Sequence, residues 1–225
     1  MIKAFIFDLG GTLVTTSEAI LMAIEKALQE NGLEFKDRES VINVFGHSLF
    51  KDVQTAVRVS YPEADEEKIE EKIQQCYTSF QRLFPRAVIS HFKVIPEVVE
   101  GLKILKQKGK KLAVLTAFER QEADFFLEQM GLREYFDVVL CTEGAIEPRP
   151  HPHGLFVVMS HLGLPPEECF YVGDTMLDVR FARNAGVKVI CVKTGAQDNV
   201  LLEKEKPDYL MEDLKEMIQK LSQGG

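Results

Sequence analysis

Ala4-Phe5-Ile6-Phe7-Asp8-Leu9-Gly10-Gly11-Thr12-Leu13 is the stretch whose reading decides the fold. Its opening run is apolar and rich in aromatic and β-branched side chains, the composition of a strand buried on both faces. The run ends on one carboxylate, Asp8, followed by two glycines and a threonine. Gly10 and Gly11 allow a sharp turn and let a ligand approach the backbone, whose free N–H groups suit an anion. Open α/β sheets place their chemistry at the carboxyl ends of such strands. Taken alone, the stretch leaves open whether Asp8 carries chemistry or caps a turn.

Downstream the periodicity changes. Ile20, Ile24, Ala27 and Leu28 recur at helical spacing over residues 17–31, with Ser17 as the expected N-cap and Gly32 as a stop. Further helices are expected over residues 41–45, 50–60 and 66–84, the last charged enough to show water much of its surface. No buried strand is expected between residues 15 and 90. From Pro96 onward strands and helices alternate. Strands are expected at 112–115, 138–140, 169–172 and 187–192, with helices between them and a final helix after Glu212. Such alternation implies a parallel sheet covered by helices on both faces. The expected architecture is α/β: a Rossmann-like, doubly wound core from residues 1–15 and 91–225. An all-α helical cap, residues 16–90, is inserted after the first strand. Clefts between domains are preferred ligand sites.

Composition narrows the function classes. The chain has 225 residues, 45% of them apolar and 28% charged, enough for a sizeable core. A formal charge of −8 argues against a general nucleic-acid binder, which needs a basic face, but not against a small anionic substrate. No apolar run approaches the roughly 20 residues that span a bilayer, and the first residues read as a core strand rather than a leader, so no membrane role is expected. Cys76, Cys141, Cys169 and Cys191 show no paired spacing; buried free thiols in a reducing cytoplasm are expected.

Polar residues then gather at four strand ends: Asp8, Thr116, the Arg149 segment, and Asp174 with Asp178. In one sheet they would converge on its carboxyl edge. Asp8 and Asp174 offer hard oxygen ligands of the kind magnesium takes, alongside water and substrate oxygens. Asp178 lies one helical turn beyond Asp174 and can face the same site. Arg149 would balance charge, and Thr116 could donate to a phosphate oxygen. His151 and His153 flank Pro152 and point to different faces, so they read as loop polar residues.

In order, Asp8-Leu9-Gly10-Gly11-Thr12-Leu13, Leu115-Thr116, Arg149-Pro150-His151-Pro152 and Gly173-Asp174-Thr175-Met176-Leu177-Asp178 resemble the four motifs of the haloacid dehalogenase-like hydrolases. The likeness covers essentially the whole chain and points to the phosphoglycolate phosphatase-like branch with a helical cap, where Gly46-His47-Ser48-Leu49 resembles a loop that faces substrate. The resemblance implies that Asp8 is a nucleophile forming an aspartyl intermediate and that Thr116 binds the phosphoryl group. It implies that Arg149 bridges nucleophile and substrate. Mg2+ would be held by Asp8, the Gly10 carbonyl, Asp174 and Asp178, directly or through water. Gly11, Thr12, Thr116, Ala117 and Arg149 would line the substrate, with His47 and Lys51 as cap contributions. The implied substrate is a small phosphorylated metabolite.

Two departures from the family pattern carry information. Family phosphatases have a second Asp two residues after the nucleophile, as general acid and base; here that position is Gly10. They usually have Lys where this chain has Arg149. Loss of the acid removes help of about 10²–10⁴-fold, felt most by alkoxide leaving groups and least by stable anions. Arg keeps the charge but brings a wider planar fork. A C–P bond hydrolase similar to the phosphonoacetaldehyde-hydrolysing branch is a competing expectation, since that branch shares both departures and a segment like Thr116-Ala117-Phe118-Glu119-Arg120. It needs a Schiff-base lysine, for which Lys51 is the candidate. Metal-free dehalogenation is disfavoured by the intact Asp174 and Asp178. A non-catalytic family member that binds a phosphorylated ligand or protein is the remaining alternative.

Overall fold

β1 (Ala4–Phe7) is buried along its whole length, as its unbroken apolar run requires. The computed structural model describes residues 1–142 and 146–223. Parallel to β1 lie β4 (Lys111–Thr116) on one side and β6 (Cys169–Gly173) on the other, with Ile6 opposite Ala113 and Tyr171. β5 (Val138–Cys141) extends the sheet beyond β4, and β7 (Lys188–Val192) and β8 (Tyr209–Met211) extend it beyond β6. Counted along the chain, the six described strands run in the order 3-2-1-4-5-6, the Rossmann arrangement. The strand order reverses beside β1, between it and β6, and that reversal opens a crevice at the strands' carboxyl ends. Asp8 and Asp174 each follow one of these two strands.

The helices of this part are α5 (Val98–Gln107), α6 (Arg120–Gln129), α7 (His153–Leu162), α8 (Met176–Asn184), α9 (Asn199–Glu205) and α10 (Leu214–Gln223). Leu155, Val158 and Met159 of α7 and Val179, Phe181 and Ala182 of α8 join Ile6, Leu115 and Tyr171 in one apolar core. At about 25 cal/mol per Å² of apolar surface, this burial is the main force holding the helices on the sheet. β8 and α9 were not expected. α9 opens on an Asp198 cap that accepts from the Val200 N–H, and β8 is only three residues long on the sheet edge. Neither is long enough to show a period in sequence.

A two-residue antiparallel ribbon, β2 (Val14–Thr15) with β3 (Lys93–Val94), marks where the chain leaves and rejoins this part. The chain divides into two compact units, residues 1–15 with 93–225, and residues 16–92. The second unit is all-α: α1 (Ser17–Glu30), α2 (Arg38–Ile42), α3 (Leu49–Ser60) and α4 (Glu66–His91). Two expectations change here. Ser17 is the first helical residue and not the cap; Thr16 holds the cap position without a side-chain hydrogen bond. The last helix does not stop at Phe84 but continues through Pro85 to His91. Its buried stripe, Cys76, Phe80, Phe84 and Val88, runs across the proline, and the apolar burial outweighs the lost backbone hydrogen bond. All four cysteines are buried and free. No helix of the described residues is long and apolar enough to cross a membrane.

Candidate active site

Asp8 leaves the end of β1 with its backbone N–H donating to Val172 O at 2.8 Å, which ties the residue to β6. Its carboxylate is buried, and Oδ1 accepts no hydrogen bond among the described residues. The nearest cation is Arg149, whose Nη1 lies 3.4 Å from that oxygen. Burial raises the Asp8 pKa to about 7 from 3.8, Arg149 pulls it down and the Asp178 charge pushes it up. Asp174, just past β6, is buried as well and accepts the Thr12 hydroxyl on Oδ1 at 2.9 Å. Burial raises its pKa well above the carboxylate range, and the charges of Asp178 and Asp8 add to the rise.

Asp178 stands at the third position of α8 in a capping box with Thr175. Its Oδ2 accepts from the Asp174 N–H at 3.2 Å, the Thr175 N–H at 3.0 Å and the Thr175 hydroxyl at 2.6 Å. Its Oδ1 accepts from Arg149 Nη1 at 2.6 Å and the Tyr171 hydroxyl at 2.9 Å. Oxygens of Asp8, Asp174 and Asp178 all fall within 4.8 Å of one another. Three buried carboxylates facing one guanidinium leave two negative charges uncompensated when all are ionised. Burying unpaired charge is costly, and a divalent cation with a preference for oxygen removes the cost. The donor set and the unpartnered Asp8 Oδ1 therefore fit a metal ion of that kind.

Close packing around Asp174 explains two glycines. Gly11 has φ +78°, and a Cβ there would overlap the Asp174 carboxylate. A Cβ on Gly195, in the loop after β7, would do the same. That loop is tied to the site twice: the Thr194 hydroxyl donates to Gly11 O at 2.7 Å, and Gln197 Oε1 accepts the Met176 N–H at 2.9 Å. Tyr171, Thr194, Gly195 and Gln197 were missed in the sequence. Tyr171 hides in an apolar strand run, and the loop residues look like ordinary turn composition.

The remaining expected residues fall as follows. Thr116 ends β4, buried, its hydroxyl accepting the Phe118 N–H at 3.2 Å, with half-buried Ala117 next to it. Gly10 sits in the turn that Val14 closes by a bridge to it. Thr12, also among the expected substrate-binding residues, is fully buried and its hydroxyl donates to Asp174. His47 and Lys51 belong to the helical unit, on either side of Ser48, the N-cap of α3. Lys51 is exposed and its Nζ donates to Gln54 at 2.9 Å. The Arg149 guanidinium is buried, reaches the site from a loop and lies 5.9 Å from the Phe181 ring centre.

Known proteins resemble the chain at full length. It is 29% identical to pyrophosphatase PpaX of Bacillus mycoides (strain KBAB4) over 98% of this chain and 97% of that one. It is 33% identical to a Dickeya dadantii (strain 3937) protein named probable phosphatase IndB, over 95% and 90%. The fold matches a crystal structure from Haemophilus somnus 129pt, titled a predicted phosphoglycolate phosphatase, with TM-score 0.86, 24% identity and 98% coverage of both chains. A haloacid dehalogenase-like family hydrolase from Streptococcus pneumoniae matches at TM-score 0.81, 21% identity and 98% of both chains. The profile of the family described as haloacid dehalogenase-like hydrolase matches residues 5–192, which takes in both ends of the acidic cluster. The chain belongs to the haloacid dehalogenase-like hydrolases.

Proposed function

We propose that the protein is a magnesium-dependent phosphatase of small phosphorylated metabolites. Its preferred substrates carry weakly basic leaving groups: phosphoanhydrides such as pyrophosphate, or acyl phosphates. The observation that carries this reading is Asp8 Oδ1, buried, without a hydrogen-bond partner, beside Arg149 and two further acids at the sheet's reversal point. Asp8 attacks phosphorus, a bond from an Asp8 carboxylate oxygen to phosphorus forms to give an acyl phosphate, and the bond from phosphorus to the leaving oxygen breaks. Water then attacks the phosphorus, the Asp8 carboxylate departs, and both protons of the water leave with the phosphate product, one on the oxygen it came with and one on another phosphate oxygen. Asp8 and Asp174, with the Gly10 carbonyl, would hold the magnesium ion; Asp178, its oxygens already taken by five donors, would reach it through water. Bound there, the ion supplies positive charge against the phosphoryl oxygens. Thr116 and the backbone of Gly11 and Ala117 would bind those oxygens.

Gly10 decides the leaving group. With no carboxyl two residues after Asp8, nothing on this loop protonates a departing alkoxide, whereas phosphate leaves from pyrophosphate as a stable anion. The name of the PpaX relatives supports pyrophosphate as the first substrate to assay. Four buried free thiols suit a reducing cytoplasm. The Schiff-base alternative needs a desolvated lysine, whereas the Lys51 Nζ donates to Gln54 of its own helix. The test compares pyrophosphate, acetyl phosphate and glycerol phosphate with magnesium present. The first two should turn over at least about a hundredfold faster than the alkyl ester, and Asp8→Asn should abolish all release. Equal rates on all three, or full activity in Asp8→Asn, would overturn the reading.

A further inference from the structure

Arg149 comes from a loop, and its long side chain loses appreciable rotamer freedom when held in one pose. What fixes its head is visible in three contacts of a single nitrogen. Nη1 donates to Asp178 Oδ1 at 2.6 Å and to the Tyr171 hydroxyl at 3.0 Å, and lies 3.4 Å from Asp8 Oδ1. Nε is buried and unpartnered, so it anchors nothing. The Tyr171 hydroxyl in turn donates to Asp178 Oδ1 at 2.9 Å, closing a triangle of hydroxyl, carboxylate and guanidinium. Tyr171 itself cannot wander: it sits mid-strand in β6, fully buried, with its ring edge-on to Phe181 at 5.4 Å.

We infer that Tyr171 is a positioning residue for the reaction, its hydroxyl keeping the Arg149 guanidinium shared between Asp178 and the nucleophile Asp8. The inference rests on the reading of Asp8 as phosphoryl acceptor. Without the hydroxyl, Asp178 is the hydrogen-bond acceptor left to Nη1 among the described residues, and the guanidinium closes onto it and away from Asp8, 3.4 Å off. The Tyr171 hydroxyl meets Arg149 and Asp178 and acts on Asp8 through Arg149.

The test is a double-mutant cycle of Tyr171→Phe and Arg149→Met, read by calorimetric titration of inorganic phosphate onto the magnesium-loaded protein, with pyrophosphate turnover alongside. Tyr171→Phe should weaken phosphate binding about tenfold and lower kcat by a similar factor, the loss of one hydrogen bond to charged groups. In the Arg149→Met background the same change should alter phosphate affinity less than about twofold, because its route of action is gone. Equal losses in both backgrounds, or no loss in Tyr171→Phe, would overturn the inference. Phosphate binding with the coupling intact but no turnover of any substrate would sink the hydrolase reading and support the role of Tyr171. No phosphate binding by the wild type would overturn both. Tyr171→Phe keeps the ring and its packing. Should it nonetheless fail to fold, Phe181→Leu loosens the same tyrosine and is expected to weaken phosphate binding at least about threefold, again only when Arg149 is present.

Discussion

Changing pH with and without magnesium perturbs the acidic cluster most directly. The Asp8 carboxyl has a pKa of about 7 in the folded protein against 3.8 for an unperturbed one, chiefly because it is buried. Between those values the folded state keeps a proton that the unfolded chain has released, so stability falls as pH rises through that window. The slope is about 1.4 kcal/mol per pH unit in mid-window and flattens as Asp8 ionises, so roughly 2 kcal/mol is lost between pH 5 and 7. For a chain of this size that is a fall in Tm of roughly 4–8 °C. Asp174 is shifted in the same direction and steepens the effect. A cation bound by the ionised carboxylates should lift Tm most at the upper end of the window and flatten the slope. Asp52 of the helical unit, also buried with a raised pKa, contributes a fall of the same sign that magnesium leaves in place; Asp52→Asn removes it as a control. The assays are differential scanning calorimetry from pH 5 to 7.5, with chelator or millimolar magnesium, and magnesium titrations at pH 6.5 in buffers of different ionisation enthalpy. Proton release on binding is expected. A flat Tm in chelator, or magnesium binding that releases no proton, would refute the reasoning.

Gly10→Asp should raise glycerol phosphate turnover by about ten- to a hundredfold while changing pyrophosphate turnover little, measured by phosphate release; Gly10 lies outside the left-handed region, where a side chain would be strained. Gly11→Ala, with φ +78° and a Cβ overlapping Asp174, should cost about 1–3 kcal/mol in urea unfolding and weaken magnesium binding. Thr12→Val leaves the buried Asp174 Oδ1 without its donor, and about 1–3 kcal/mol of stability should go, less in saturating magnesium.

What could be read from sequence was whatever a strand end announces locally. Asp8, Thr116 and Asp174 each close a run of apolar residues, and such a run with a polar stop is visible without knowing its neighbours in space. Arg149 was legible only as part of an ordered series, since it lies in a loop. Tyr171 shows the limit: in β6 it reads as one more buried aromatic, and its hydroxyl acquires meaning only because α8 returns Asp178 over the strand and the loop brings Arg149 across. The Thr194–Gln197 loop was silent for the same reason. Its neighbours are Gly11, in the loop after β1, and Met176, the first residue of α8 after β6, and only the sheet order brings these near the end of β7. In the helical unit the helix expected to end at residue 84 runs on, because buried Phe84 and Val88 carry it through Pro85.

The β2–β3 ribbon has an evolutionary consequence. Val14 faces Val94, and Thr15 faces Lys93, so the exit and return points of the 16–92 segment are neighbours across a ladder rung. Trading that segment for another, long or short, needs no rethreading of the sheet and no new crossover, only two chain ends about 5 Å apart to be rejoined. Selection can thus exchange the module as a cassette while the acids at the strand tips stay untouched.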